Sequence, residues 1–404
     1  MSVNVVPPRS TVTLEKVDGN LEVGEHSVVR GAGTPPQVSV SGTVYAGGEC
    51  TFESNLSAEN IDGEDDIVVK GDLEVRNRVR VEDGRLLVMG NMTAKKVDVD
   101  DSLKVEKDLE SEEVSVGGSL EVKGNTQAKK IEVGGTFKAK GFVKVESVDV
   151  GGSVKVESKA YVGDIDVGGT VEVEGGEVGR VDVGGSFLSN DSLGFERINV
   201  GGAVRMVGKN SGGDIDVGGS CKVEGDLKFG DIDVGGVFSI SGSAEGADLD
   251  VGGVVKVGEN IRLSGKLDVG GKVEVDGELA AQTINIGGEL SARKASADER
   301  VSVGGLIETV DGVYATHVEI GRRGEVKGLI KAKEVLISRE AKVEDVQASL
   351  ITLERGAKAR SLYGGRIRLG SDCYVYGEVQ YTESLETEHG ATLAIAPQKV
   401  DKLP

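Results

Sequence analysis

Residues 215–231 read IDVGGSCKVEGDLKFGD, and Ile232 begins a further copy with IDVGG. Within this cell the apolar residues are Ile215, Val217, Cys221, Val223, Leu227 and Phe229. They form three pairs, each with one polar residue between its members. That period of two is the mark of a short strand with one buried face, and no helical period competes with it. Val and Ile are the residues that strands favour. The apolar steps run 2, 4, 2, 4, 2 and 3, so the cell predicts three short strands separated by corners. The glycine pair is expected to supply positive φ at a sharp bend and to let neighbouring coils approach closely.

The cell recurs along the chain. The first glycine of each pair stands at 117, 134, 151, 168, 184, 201, 218, 235, 252, 270, 287 and 304. The beat continues through Gly321, Ser338, Arg355, Asp372 and His389, where VEIGRRGEV, VLISREAKV, ITLERGAKA and IRLGSDCYV spell the same unit differently. Before Gly117 come looser cells around Gly24, Gly47, Glu64, Glu82 and Asp100, with GAGTPPQ inserted between the first two. Such a period over nearly the whole chain signals a solenoid. Stacking pairs each strand with its counterpart one cell on, which makes the sheets parallel. The expectation is an all-β, right-handed parallel β-helix of about 22 coils, about 100 Å long at about 4.8 Å per coil. The right hand is favoured over the left-handed hexapeptide helix because the steps depart from strict sixes. The domain reading is a flexible tail over 1–12 and a continuous β-helix over 13–395. That helix comprises irregular coils to 116, regular GG coils over 117–305 and a third spelling over 306–395, with a cap or tail at 396–404.

Composition agrees. There are 62 glycines, aromatics make up 3%, and tryptophan is absent, so the interior must be thin and lined by small aliphatic side chains. A net charge of −21 opposes binding to nucleic acid through phosphate neutralisation. Three cysteines build no disulfide framework. The start MSVNVVPPRS lacks the basic-then-apolar order of a signal peptide, and no apolar run is long enough to span a bilayer. The expectation is a cytoplasmic protein.

The residues that carry chemistry elsewhere are scattered here. His26, His317 and His389 fall many coils apart, which excludes a three-histidine zinc site in regular coils. Cys50, Cys221 and Cys373 share a slot where other cells carry Val or Leu, so they read as core. No phosphate-binding loop of the G-x-x-x-x-G-K-[ST] kind is present; GKLDVGGKV at Gly265 has the wrong spacing. No cofactor is expected, and neither is enzymatic activity, because the cells carry no long loops to wall a groove.

One column stands out. Asp149, Asp166, Asp182, Asp216, Asp233, Asp250 and Asp268 occupy a single slot, interrupted by Asn199. Stacking would bring these carboxylates within about 5 Å of each other. Like charges so close raise pKa values or recruit cations. The column is therefore a candidate cation ladder. The plainer reading is a solvated face neutralised by Lys155, Arg205, Lys222 and Lys256.

The spelling also resembles a known family. GEVKGLIKAKEVLISREAKVEDVQ, beginning at Gly324, carries G-x-V-x-G-x-I-x-A-x-x-V at Gly324, Val326, Gly328, Ile330, Ala332 and Val335. This resembles the bactofilins, polymer-forming cytoskeletal proteins built as right-handed β-helices. The resemblance implies filaments assembled without nucleotide, often at a membrane, that serve as scaffolds for cell shape or for protein clients. The chain departs from that pattern in its number of coils and in lacking a membrane-targeting segment in the N-terminal stretch. The functional expectation is a structural protein that self-associates end to end. The alternative is a non-polymerising module that binds cations or a surface through its acidic face.

Overall fold

The computed structural model describes residues 3–404, and these contain strands and turns but no helix. The chain is an all-β parallel β-solenoid of about 23 turns with a period of about 17 residues. It divides into two compact units, Met1–Gly201 and Gly202–Pro404.

In the first unit the repeat is carried by paired segments such as Val143–Val150 with Ser153–Val156, followed by Ala160–Val167 with Thr170–Val173. Strand pairs with the next turn are parallel, for example Val148↔Ile165 and Val150↔Val167, with a bulge at 75–78 and one isolated antiparallel bridge, Ala32↔Gln37, inside the GAGTPPQ insertion. Within Val143–Val150 the buried positions are 143, 145, 148 and 150. The alternation slips by one residue between 145 and 148, which marks a corner inside an unbroken strand. Each turn therefore presents three inward pairs. The second unit repeats this design, and all six apolar residues of the cell at 215–231 are buried, from Cys221 at 0% exposure to Phe229 at 7%. Inward side chains mostly stack on others of similar size, as in Leu86, Leu103 and Leu120, and one large ring is matched by a glycine. The Phe229 ring lies where a side chain on Gly246 would have to go.

The glycine pairs hold a different position from the one expected. None of them has φ in the left-handed region; what forbids a side chain is the neighbouring turn. A Cβ on Gly135 would sit 2.5 Å from the Gly118 carbonyl oxygen, and one on Gly252 would sit 2.5 Å from that of Gly235. The close approach carries a ladder of its own, in which Gly135 N–H donates to Gly118 O and Gly152 N–H to Gly135 O, both at 2.9 Å. Positive φ falls at other corners, on Gly176 (φ 123°) in the cell that shortens to sixteen residues and on Gly208 and Gly225 in seventeen-residue cells. It also recurs toward both ends on side-chain-bearing residues: Arg9, His26, Glu49 and Asp83 in the early cells, and Arg323, Glu340 and Asp372 in the last.

One terminal reading changes. Val3–Val6 pairs with Asn20–Val23 and Thr11–Leu14 with Val28–Gly31, so the stretch 1–12, expected as a tail, is a turn of the solenoid from Val3 onward. Residues 1–2 lie outside the described residues. Pro7 and Pro8 suit the corner between those strands, because proline has no N–H to leave unpaired. At the other end Gln398–Lys399 adds a two-residue strand against Gln380 and Tyr381.

Buried polar groups test the stack. Thr126 is fully buried between Leu109 and Val143, and its hydroxyl has no hydrogen-bond partner. Replacing such a group with an apolar isostere removes a desolvation cost, so Thr126→Val should stabilise the first unit by roughly 1 kcal/mol. Gly135→Ala should destabilise it by roughly 1–3 kcal/mol, the usual range for overpacking. Denaturant unfolding followed by circular dichroism reads both. A Gly135→Ala protein as stable as wild type would refute the close-approach account of the corners.

Candidate functional site

The carboxylate columns assemble in register within each unit. In the first, Asp149 pairs with Asp166, Asp166 with Asp182, and Asp182 with Asn199. In the second, Asp216, Asp233, Asp250 and Asp268 follow one another and lead to Asn285. Strand alternation turns these side chains outward, because Val148 and Val150, flanking Asp149, are buried. Each run closes on an amide. Asn199 Nδ2 donates to Asp182 Oδ1 at 2.9 Å, and Asn285 Nδ2 approaches both oxygens of Asp268 at 3.4–3.5 Å.

The cations expected to neutralise this face are engaged elsewhere. Lys155 pairs with Glu172 at 3.0 Å, Arg205 and Lys222 both pair with Glu224, and Lys256 pairs with Glu274 at 3.3 Å. Lys155 and Lys256 meet glutamates one turn away in their own columns, whereas Glu224 stands two residues along the strand from Lys222 and diagonally one turn on from Arg205. Glu224 is held below the usual carboxylate range by Lys222 first and Arg205 second, and Glu274 by Lys272 and then Lys256. The seven aspartates form no salt bridge among the described residues. No group of three or more His, Cys, Asp or Glu side chains there has an arrangement able to hold a metal ion.

A second family of outward residues, asparagines and aspartates, caps the corners, a role not expected from the sequence. Asn55, Asp72, Asn91, Asp108 and Asn125 lie one per turn. The side-chain oxygen of each accepts the backbone N–H of its counterpart one turn on, from Asp72 N–H on Asn55 Oδ1 (2.9 Å) to Phe142 N–H on Asn125 Oδ1 (3.2 Å). The second unit repeats the device with Asp214, Asp231 and Asp248. Corners carry N–H groups that the strand ladder does not reach, and Asn and Asp are suited to satisfy them. The signal was present in the near-seventeen spacing of Asn and Asp before each strand.

The remaining candidates fall as follows. His26 and His317 are surface residues whose rings approach Glu49 and Glu334 at 2.8 and 3.3 Å, and His389 is exposed. All three cysteines are buried. Burial alone pushes the Cys221 thiol up to about 12, which removes thiolate character at neutral pH. Although no loops wall a groove, side chains form a furrow of about 1040 Å³ along the first unit. Its flanks include one column running Glu74, Thr93, Glu110, Gln127, Lys144 and Tyr161. The lining carries both signs of charge and contains neither a histidine nor a thiol, so it presents no thiolate–imidazole pair of the kind that activates a cysteine nucleophile.

Comparison of the chain with protein-family models, with curated proteins and with solved structures finds no match.

The unpaired aspartate columns carry a stability signature. Like charges directly opposite one another on neighbouring strands destabilise a sheet. Asp233→Asn replaces a charged rung with the amide already used at Asn199 and Asn285. It should raise the thermal midpoint at low ionic strength, and the difference should shrink in 1 M salt, where the Debye length is about 3 Å. Calorimetry at the two salt concentrations provides the check. A midpoint unchanged or lowered at low salt would show that the column is not repulsive.

Proposed function

We propose that the chain is a structural scaffold, a right-handed parallel β-helix of the bactofilin type that assembles end to end without nucleotide. The observation that carries this reading is the contrast between the interior of the stack and its final turn. Interior inward positions are buried almost without exception. In the last turn Tyr381, Leu385 and Leu393 continue the inward columns of Gly364, Ile367 and Val375. All three are only half-buried, and Ile395 beside them is 46% exposed. An apolar layer with no further turn over it favours association with another surface.

The first turn also leaves two inward apolar residues half-buried, Val12 and Leu14, but it adds polar groups that the last turn lacks. Asn4 takes the inward place above Leu21, and its amide donates to the Asp18 and Asn20 carbonyls at 3.3 and 3.5 Å. The buried Ser27 hydroxyl donates to Pro7 O at 2.9 Å. These polar groups lower the gain from covering that end, so the C-terminal layer is the stronger junction in this proposal. The spelling at Gly324–Val335 supports the bactofilin assignment, and the absence of any phosphate-binding loop in the sequence supports assembly without nucleotide.

Sedimentation and negative-stain microscopy of the purified protein test the reading. Self-association should increase with concentration in the absence of nucleotide. The double substitution Leu385→Arg with Leu393→Arg, which buries charge at the junction, should abolish it while leaving the far-ultraviolet spectrum unchanged. A wild-type protein that stays monomeric at high concentration would overturn the proposal.

A further inference from the structure

The terminal edge is partly occupied by the chain itself. Gln398 and Lys399 pair in parallel with Gln380 and Tyr381, and Val400 N–H donates to Tyr381 O at 2.9 Å. The chain then leaves the edge and runs back along the outside of the stack. Gln347 Nε2 donates to Pro404 O at 2.8 Å. Gln347 lies two turns below Gln380 in the column Gln347, Tyr363, Gln380. The segment thus covers the first part of the strand Val379–Thr387. Over the remainder, Ser384–Thr387, no further strand is laid among the described residues.

This cover is weakly held compared with any interior turn. It contributes a two-residue ladder, whereas an interior turn adds strands of eight and four residues. Gln398, Lys399, Asp401, Lys402 and Pro404 are exposed, and only Val400 and Leu403 are half-buried. Segments with few buried apolar contacts and exposed hydrogen bonds open at low free-energy cost. The composition also suits an edge guard: Pro397 has no N–H to offer a new strand, and Lys399 and Lys402 place charge beside the edge.

We propose that residues 398–404 are a displaceable cover that competes with a second copy of this chain for the Tyr381 edge. It thereby sets the concentration at which the C-terminal layers join. The inference rests on the end-to-end assembly proposed above. While the cover is docked, the Tyr381 carbonyl is already paired and the incoming copy meets charged side chains. When the cover opens, the edge of the whole strand Val379–Thr387 becomes continuous and the apolar layer behind it is accessible.

The test is a sedimentation-velocity concentration series on the full chain, on a variant lacking residues 398–404, and on Val400→Pro. The last removes a single edge hydrogen bond and leaves the core untouched. Both variants should associate at lower concentration than the full chain. The deletion should shift the midpoint about tenfold or more, corresponding to about 1.4 kcal/mol of relieved competition. Hydrogen exchange at Val400 in the full chain should be faster than at Leu369, which lies in an interior turn. Association of both variants at the same or higher concentration than the full chain overturns the cover while leaving end-to-end assembly standing. Failure of all three proteins to associate overturns both.

Discussion

A solenoid of constant period stacks each residue on its own counterpart, about 4.8 Å away. That single constraint governs the rest of the structure. For inward Val, Ile and Leu it is favourable, because similar shapes nest into continuous columns; Phe137 and Phe238 stack on valines one turn on, and the Phe229 ring fills the space left by Gly246. For the backbone it is favourable again, since each N–H and C=O meets a partner in register. For outward charges it is a liability, and much of the sequence outside the core reads as a response to it. The column Lys104, Glu121, Lys138, Lys155, Glu172 mixes signs. Where two lysines do fall together, at 138 and 155, each finds a glutamate, Glu157 and Glu172 respectively. The corner ladder of the first unit alternates Asn with Asp, so its charged rungs are never adjacent. Glu53, Glu106, Glu157 and Glu340, each gaining a cross-turn cation, have lowered pKa values in the folded state. Their stabilisation is therefore present above the unfolded carboxylate pKa and is lost as pH falls through the folded one.

The strands and their inward faces were legible because period two and period seventeen are both written in residue types. At 215–231 the sequence marks six apolar residues, and all six are buried. The corners were not legible in the same way. Glycine suggests positive φ, yet the paired glycines are required by the carbonyl of the turn below, and that carbonyl is invisible until the register is known. The first turn escaped for a related reason. VNVV and TVTL alternate as strands do, but Pro7 and Pro8 between them look like a linker when no neighbouring turn is in view. The Asn and Asp rungs were hidden by their chemistry: an acidic residue on a solenoid surface reads as a charge, whereas here its oxygen serves as a backbone acceptor.

Corner chemistry also explains why the cells at the two ends are spelled differently from those in the middle. A glycine pair makes a short corner that tolerates no side chain, so the middle cells are bare there. The first and last cells instead use a turn with one residue at positive φ. In the last cells the chain closes on itself through bonds such as Gly324 N–H to Gly321 O at 3.0 Å. That turn admits side chains, and the structure uses them: Arg323 bonds Glu340 at 2.6 Å, and Arg355 approaches Asp372 at 3.3 Å. Carrying left-handed Glu340 or Asp372 costs conformational energy that a glycine would avoid. The cross-turn ion pairs fix the register of cells whose corners lack the glycine ladder.

The same stacking rule makes the ends different from everything between them. An interior turn is satisfied on both sides by copies of itself, while a terminal turn has one side to settle. At the first turn Val12 and Leu14 are half-covered, and the chain adds groups that need no further partner: an inward amide at Asn4, a hydroxyl at Ser27 bonded to Pro7, and two prolines. At the last turn it leaves Leu385 and Leu393 half-covered and supplies only a two-residue strand at the edge. A cell that propagates by templating its neighbour has no internal signal to stop. Residues that break the template, Asn4, Pro7 and Pro8 at the first turn and Pro397 beside the last, are what interrupt that propagation.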